Sequence, residues 1–314
     1  MFIVCGEALF DVYAEQDSAT ASDTVSRHLS LQAHVGGSPF NVAVGMARLG
    51  ESVALLSGLA NDFLGEHLHA VLEQEGVSTR LIARKTAPTT LSFVQHDADG
   101  VPSYAFYGNG AADRVLDKAD TAFALAGVRG LHLGSYSMVV EPAASAYIDL
   151  LREQSGQRLI ALDPNVRLNV EPDLDVWRSR LSELLPHLDL IKVSDEDLAA
   201  LYPGQEPDSI MQAWQIQGIH LLALTRGAAG ASLWCGALRV DIAALSIEVV
   251  DTVGAGDTFQ AALLQELLQH GWPQTEAELK HLGQFAATAA AITCSRRGAN
   301  LPTRAEVLAQ LEQH

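Results

Sequence analysis

The sequence predicts an α/β fold: a doubly wound, mostly parallel sheet with helices on both faces, plus a small antiparallel β-lid. Three observations lead there. Short apolar, β-rich runs alternate along the chain with segments of helical spacing, and helix start and stop signals bound those segments. Two stretches, Leu9–Ala14 and residues 89–107, instead alternate apolar and polar residues with no helix intervening.

Taken in order, Phe2–Cys5 reads as the first buried strand and Leu9–Ala14 as part of the lid. Ser38-Pro39 opens a helix and Leu49-Gly50 closes it, with Phe40, Ala43, Met46 and Ala47 on one side. Residues 53–57 form the next core strand, and Asp62 caps a helix that ends at Gly76. Within residues 89–107, Asp99-Gly100 is a hairpin signal. Residues 130–133, 158–162, 188–193 and 220–225 continue the parallel sheet. Ala255–His270, stopped by Gly271, and the Ala-rich residues 276–293 are long helices near the C-terminus. No Pro- or Gly-rich linker, internal repeat or low-complexity tract interrupts this order. Residues 1–314 are therefore expected to form one domain, with lid strands drawn from about residues 9–35 and 88–110.

Composition narrows the function classes. The chain has 314 residues, 48% of them hydrophobic, enough for a large buried core. A formal net charge of −18 argues against nucleic-acid or anionic-membrane partners, which clustered Lys and Arg must meet, while leaving room for a local phosphate pocket. No apolar run approaches the roughly 20 residues that span a bilayer. The start, Met-Phe-Ile-Val-Cys-Gly-Glu, lacks a basic n-region and reads as a strand, not a signal peptide. Cys5, Cys235 and Cys294 are few, odd in number and far apart, as expected in a reducing cytoplasm and for neither a disulfide framework nor a zinc site. There is no Gly-x-x-x-x-Gly-Lys-[Ser/Thr] P-loop and no Gly-x-Ser-x-Gly elbow. Gly108-Asn-Gly110 lacks the third glycine of a dinucleotide fingerprint, and His67 and His69 lack a third ligand at metal-site spacing.

The run Asp251-Thr-Val-Gly-Ala-Gly-Asp257-Thr-Phe259 carries the chemistry. Gly254 and Gly256 flank Ala255 immediately before a helix, so the backbone can turn sharply and present a row of N–H groups at the positive end of the helix dipole. Asp257 places a carboxylate in the first turn beside that anion site. A lone acid there commonly does no more than complement the dipole; with the two glycines it supplies a base for an acceptor hydroxyl next to donors for a transferring phosphoryl. In Gly36-Gly-Ser-Pro-Phe-Asn41-Val-Ala43 the glycine pair allows close backbone approach before a helix, and Asn41 offers a donor and an acceptor suited to vicinal hydroxyls. A capped helix after an ordinary tight turn is the alternative.

Gly36-Gly37 with Asn41 and Ala43, and Asp251–Phe259, resemble the two signatures of the ribokinase-like (PfkB) carbohydrate kinases, in the expected order and over essentially the whole chain. Gly6-Glu-Ala-Leu-Phe-Asp11, Asp163-Pro-Asn-Val-Arg167 and Lys192-Val-Ser-Asp195 are most similar to the fructokinase branch. The resemblance implies ATP-dependent phosphorylation of a primary sugar hydroxyl, giving fructose 6-phosphate if the sugar is fructose. It implies that Asp257 is the base and that the amides of Gly254, Ala255, Gly256 and Asp257 hold the γ-phosphoryl charge. Asp11, at the end of the first strand, would bind sugar hydroxyls with Gly37 and Asn41; Phe106 would cover the sugar from the lid, and Arg167 would reach sugar or phosphate oxygens. Lys192, Ser194, Thr225, Gly227, Gly230, Gly256 and Gly298 would serve ATP. Ser194-Asp-Glu-Asp197 matches the metal-region motif with Asp197 in the usual Glu position and Glu196 beside it, so either carboxylate would orient Mg²⁺ through water; the same run is also an ordinary helix N-terminus. Asp251, with the segment from Ser295, would help bind K⁺.

Two other acceptor classes fit the same fold and mechanism: 2-keto-3-deoxygluconate, and ribose or a nucleoside. A non-catalytic sugar-binding regulator is a third reading, which the intact Gly254, Gly256 and Asp257 oppose. A projecting sheet with an apolar face needs cover, and lids of relatives often pair, so a homodimer is expected.

Overall fold

The computed structural model describes residues 1–14, 29–96 and 102–313. Its strands are β1 (Phe2–Cys5), β2 (Leu9–Ala14), β3 (Leu31–Gly36), β4 (Val53–Ala60), β5 (Ile82–Lys85), β6 (Leu91–His96), β7 (Pro102–Tyr107), β8 (Gly130–Gly134), β9 (Leu159–Asp163), β10 (Leu190–Ser194), β11 (Leu221–Thr225), β12 (Ala231–Cys235) and β13 (Leu238–Ile242). Its α-helices are α1 (Ser38–Arg48), α2 (Phe63–Gln74), α3 (Ala143–Gln154), α4 (Leu174–Leu184), α5 (Asp195–Leu201), α6 (Pro207–Ile216), α7 (Ala255–His270), α8 (Glu276–Cys294) and α9 (Arg304–Leu311).

The strongly apolar runs pair into a nine-stranded sheet in the order β13-β12-β11-β10-β9-β8-β1-β4-β5. Pairing is parallel from β5 to β11 and antiparallel only at the β11-β12-β13 edge. Parallel strands are covered on both faces, which is why β1, β4 and β8 are buried at every position. The pleat sends alternate side chains to opposite layers: Phe2 and Val4 join the core with α1, α7 and α8, while Ile3 and Cys5 join the one with α3, α4 and α6. Each predicted core strand and helix is present. The short edge strands β5 and β13, partly exposed and weakly patterned, and the largely buried β12 beside β13 were not foreseen. Among the described residues no helix is long and apolar enough to cross a membrane.

The lid is a four-stranded sheet, β3-β2-β6-β7. Its outer pairs, β2/β3 and β6/β7, are antiparallel as predicted, but the central pair β2/β6 is parallel. The reason is topological: β2 leaves the large sheet after β1 and β6 leaves it after β5, so both set out from the same side. The expected turn at Asp99-Gly100 lies outside the described residues.

Helices α1 and α7 cross at Gly45, where a Cβ would come within 2.6 Å of Leu301 and 2.8 Å of Ala261. The missing side chain lets the two helices approach, and their N-termini carry Asn41 and Asp257. Gly45→Val should overpack this crossing, costing about 1–3 kcal/mol by denaturant unfolding and lowering activity beyond the folded fraction; unchanged stability would show that the helices tolerate separation.

Candidate active site

In open α/β sheets ligands collect beyond the carboxyl ends of the parallel strands. Here β1, β9, β10 and β11 end at Cys5, Asp163, Ser194 and Thr225, and the N-terminus of α7 lies over them. Gly254, at φ +78°, caps α7 in a left-handed conformation that glycine alone takes without strain. Among the described residues the amides of Gly256 and Asp257 have no backbone acceptor, whereas that of Ala255 donates to the Thr252 carbonyl at 3.2 Å. The open donor row is therefore shorter than the four residues predicted, because one amide closes the turn. Thr258 secures the cap, its hydroxyl donating to the Gly254 carbonyl at 2.8 Å.

Asp257 is buried, 7% exposed. The Ser38 hydroxyl donates to Oδ1 at 2.6 Å and Asn41 Nδ2 donates to Oδ2 at 2.8 Å. Asn41, expected against sugar, thus orients the acid with one half of its amide. Each carboxylate oxygen keeps a second lone pair, so neither contact prevents it from taking a proton.

Among the residues expected at the nucleotide, Lys192 Nζ donates to Asp163 Oδ2 at 2.8 Å, both side chains buried. The ammonium lies 2.9 Å from where a Cβ on Gly256 would stand, so Gly256 is also a point of close approach to a cation. Burial disfavours the Lys192 charge, but Asp163, then Asp197 and Asp257, raise its pKa. Burial lifts Asp163 to about 6, against the pull of Lys192 and with the help of Asp197 and Asp257. These four groups form one electrostatic unit. Asp197 is 9% exposed and spends Oδ1 on the Val166 amide at 2.9 Å, leaving Oδ2 open; Ser194 caps α5 through the Asp197 amide at 3.0 Å. Glu196 points to solvent. Of the two candidate carboxylates, Asp197 alone joins the cluster.

The residues expected at the sugar lie on the lid and the neighbouring loops. Asp11 does not end the first strand as predicted; it sits within β2, because Gly6–Ala8 break the run after Cys5. Its Oδ2 lies over Gly36, 2.5 Å from a hypothetical Cβ. Burial pushes its pKa up; Ser92 across the lid and Arg167 pull it down, while Asp257 adds to the rise. Arg167 is half-buried in the loop after β9. Gly37 has φ +107°, and a Cβ there would come within 2.8 Å of the Glu7 carbonyl. Phe106 extends from β7 onto Tyr136, edge to face at 6.2 Å.

The remaining predicted residues lie on loops at the same end. Thr225 pairs with Ser194 across β10/β11, and Gly227 and Gly230 shape the β11–β12 hairpin, closed by Arg226 N donating to Gly230 O at 2.8 Å. Asp251 accepts from the amides of Val253 at 3.0 Å and Gly298 at 2.8 Å, tying the loop before α7 to the one after α8. A cleft of about 310 Å³ lined by Leu245, Val250, Ile292 and Ser295 adjoins this junction and contains none of the sugar-side residues.

The model of the pfkB family carbohydrate kinase matches residues 1–306. The chain belongs to that family. Among pfkB relatives, a fructokinase of Rhizobium leguminosarum bv. trifolii is 34% identical over 267 residues, covering 85% of this chain and 79% of the relative. The crystal structure of a Xylella fastidiosa fructokinase with bound ATP superposes with TM-score 0.87 at 26% identity, over 99% of this chain and 98% of that one. A Vibrio cholerae fructokinase double mutant, solved with fructose, ADP and a potassium ion, gives TM-score 0.84 at 25% identity over 99% and 98% of the two chains.

Some residues of this pfkB site escaped the sequence reading. The sequence pattern marks Ser38 only as a helix start and Asp163 only as part of a motif. Glu7 is buried beneath Gly37 and takes a hydrogen bond from Ser137 Oγ. The Gly-Glu dipeptide after β1 was the available signal. Burial raises Glu7 from 4.5 to about 7, against hydrogen bonds from Ser137 and Ser135. Between those values the native state holds a proton that the unfolded chain has released, so stability falls as pH rises through that window. Glu7→Gln should abolish this slope, gaining up to about 3 kcal/mol on the wild type across it, as read by urea unfolding at each pH. Parallel pH profiles would show that Glu7 ionises freely.

Proposed function

We propose that the protein is an ATP-dependent fructokinase that phosphorylates D-fructose to fructose 6-phosphate. The observation that carries this is the meeting, across 216 residues of chain, of a buried acid on an open helix N-terminus with Asn41 of the glycine-pair helix. Fructokinases among the relatives, aligned over most of both chains, support fructose as the acceptor.

In this reading Asp11, Gly37, Asn41 and Arg167 hold the sugar, Phe106 covers it, and its primary hydroxyl reaches Asp257. Asp257 takes the hydroxyl proton as the oxygen attacks the γ-phosphoryl. The amides of Gly256 and Asp257, with Lys192 behind Gly256, receive the charge on the phosphoryl oxygens. Thr225, Gly227, Gly230 and Gly298 line the nucleotide, with Ser194 nearby. The open Oδ2 of Asp197 suits a metal-bound water, so Asp197 would orient Mg²⁺, whose chemistry here is to neutralise phosphate charge. K⁺ beside the Asp251 junction remains part of the proposal, supported by the ion in the Vibrio enzyme. The small sheet acts as a lid that excludes water, on one domain working in the cytoplasm.

The deciding experiment is ADP release with ATP and Mg²⁺ against fructose, ribose, 2-keto-3-deoxygluconate, glucose and adenosine. Turnover with fructose far above the rest is expected; preference for another acceptor would overturn the fructose assignment and retain the base. Asp257→Asn should lower kcat by about 10²–10⁴ with sugar affinity changed only severalfold, and near-normal turnover would remove Asp257 from the base role. The lid strand β3 exposes Leu31 at 44% and its neighbours through His34. A second copy covering this edge makes a homodimer, so solution mass at micromolar concentration should be twice that of the chain; a monomer mass sinks the pairing.

A further inference from the structure

Arg114, 7% exposed in the loop after β7, is a buried cation that the proposed mechanism does not use. Arginine is seldom enclosed this far unless it is paired. Here the ion pair is loose, with Asp113 Oδ2 standing 4.0 Å from Nε. The closer neighbours are not acids. The guanidinium carbon lies over the Tyr136 ring, 4.8 Å from its centre. Gly108 also lies against the guanidinium: a Cβ there would come within 2.4 Å of Nη2, 2.5 Å of Cζ and 2.8 Å of Nε. Residue 108 therefore has no room for a side chain while Arg114 keeps its place. Its backbone is not left-handed, so the guanidinium, and not a turn conformation, is what calls for glycine.

This contact sits at the base of the lid. Ala111 N donates to Gly108 O at 3.0 Å and Arg114 N to Ala111 O at 2.9 Å, so two tight turns fold residue 114 back onto residue 108. The two residues before Arg114 hold the other leg of the same hairpin. Thr90 Oγ1 donates to Asp113 Oδ1 at 2.6 Å, and Ala112 N donates to Pro88 O at 2.9 Å. Residues 112–114 thus seat both ends of the β6–β7 hairpin. Phe106 stands two residues before Gly108 and rests on the same Tyr136 ring that Arg114 covers. It pairs with Ser92, and Ser92 with Asp11, so Phe106 and Asp11 share a face of the lid. We propose that Arg114 is a positioning residue for the acceptor sugar: packed on Tyr136 and Gly108, its guanidinium fixes where β7 leaves the core and thereby holds Phe106 over the sugar. A planar, permanently charged group suits this seat, because it stacks on an aromatic face and presents a flat surface to the glycine.

The role toward the sugar rests on the fructokinase reading; the seat under the lid does not, and separate measurements decide the two. Hydrogen exchange read by mass spectrometry needs no turnover. Arg114→Ala should speed exchange severalfold in β6 and β7 while α7 and α8 keep wild-type rates. Equal speeding throughout the chain, or none in the lid, overturns the seat. In the ADP-release assay Arg114→Ala should raise the KM for fructose about tenfold, the scale of one buried cation–ring contact, with the KM for ATP and kcat per folded molecule within about threefold. Arg114→Lys, which keeps the charge and part of the stack, should recover some of that loss. Gly108→Ala should raise the KM for fructose in the wild-type background and add nothing to Arg114→Ala, where the space is open. Equal effects of Gly108→Ala in both backgrounds would show that residue 108 answers to something other than Arg114 and refute the contact. A fall in kcat with both KM values unchanged would refute the positioning role. If the wild type does not turn over fructose, the fructokinase reading fails and the sugar role with it, while hydrogen exchange still decides the seat.

Discussion

The site depends on one helix crossing. Asp257 and the two side chains that hold it lie more than 210 residues apart, on the first turns of α7 and α1. What fixes their separation is less the pair of hydrogen bonds, each worth about 1.5–3 kcal/mol net to a charged acceptor, than the packing of the two helices at Gly45 and the shared core below. Short polar contacts at the end of two packed cylinders are set by the cylinders. The Asp257 carboxylate is thus held in one orientation, the preorganisation that the proposed base needs and that a residue on a mobile loop would lack.

The same layer explains the charge arrangement. Four ionic groups, Asp163, Lys192, Asp197 and Asp257, meet at the carboxyl ends of β9 and β10 and the start of α7. A buried ion pair contributes little to stability once desolvation is counted, so the Lys192–Asp163 bond is poorly explained as a fold-stabilising device. It places a cation behind Gly256, at the helix end where backbone amides already concentrate positive potential. With three acids close by, Lys192 offsets one of the three negative charges and lowers the repulsion that an incoming polyphosphate would meet in a chain already at −18.

How far the sequence disclosed this can be judged residue by residue. Strands buried on both faces are the most legible elements, since an unbroken apolar run such as residues 53–60 has few other fates. The glycine-bracketed start of α7 was legible because it needs an unusual residue at a fixed place: Gly254 is left-handed, and Gly256 faces a lysine. Long-range partnership was not legible. Nothing local to Ser38 marks it as a donor to Asp257, and nothing near Asp163 announces Lys192 as its mate; the first relation follows from the crossing of α1 and α7, the second from the pairing of β9 with β10. The parallel β2/β6 pair escaped for the same reason, because alternation reveals that a strand has two faces but not which neighbour it takes. Asp11 was misplaced by a single short break, Gly6–Ala8, that turns one apolar stretch into two strands of different sheets.

That break also joins the two halves of the molecule. Glu7 lies inside it, its carbonyl under Gly37 and its carboxyl on Ser137, while Asp113 nearby accepts from Thr90 at 2.6 Å and from Tyr136 at 2.8 Å. Thr90 precedes the lid strand β6, and Tyr136 carries the ring on which the lid residue Phe106 rests. The lid is therefore rooted in a buried acidic pair at the floor of the sugar side, not in apolar contact alone. Hydrogen bonds with strict geometry suit such a root, because they resist the sliding that a purely apolar contact permits. Glu7, which takes the Ser137 hydrogen bond, and Asp11, which in the proposed reading holds the sugar, sit four residues apart, so a shift of the β1–β2 connection would be felt at both the root of the lid and the proposed sugar contact.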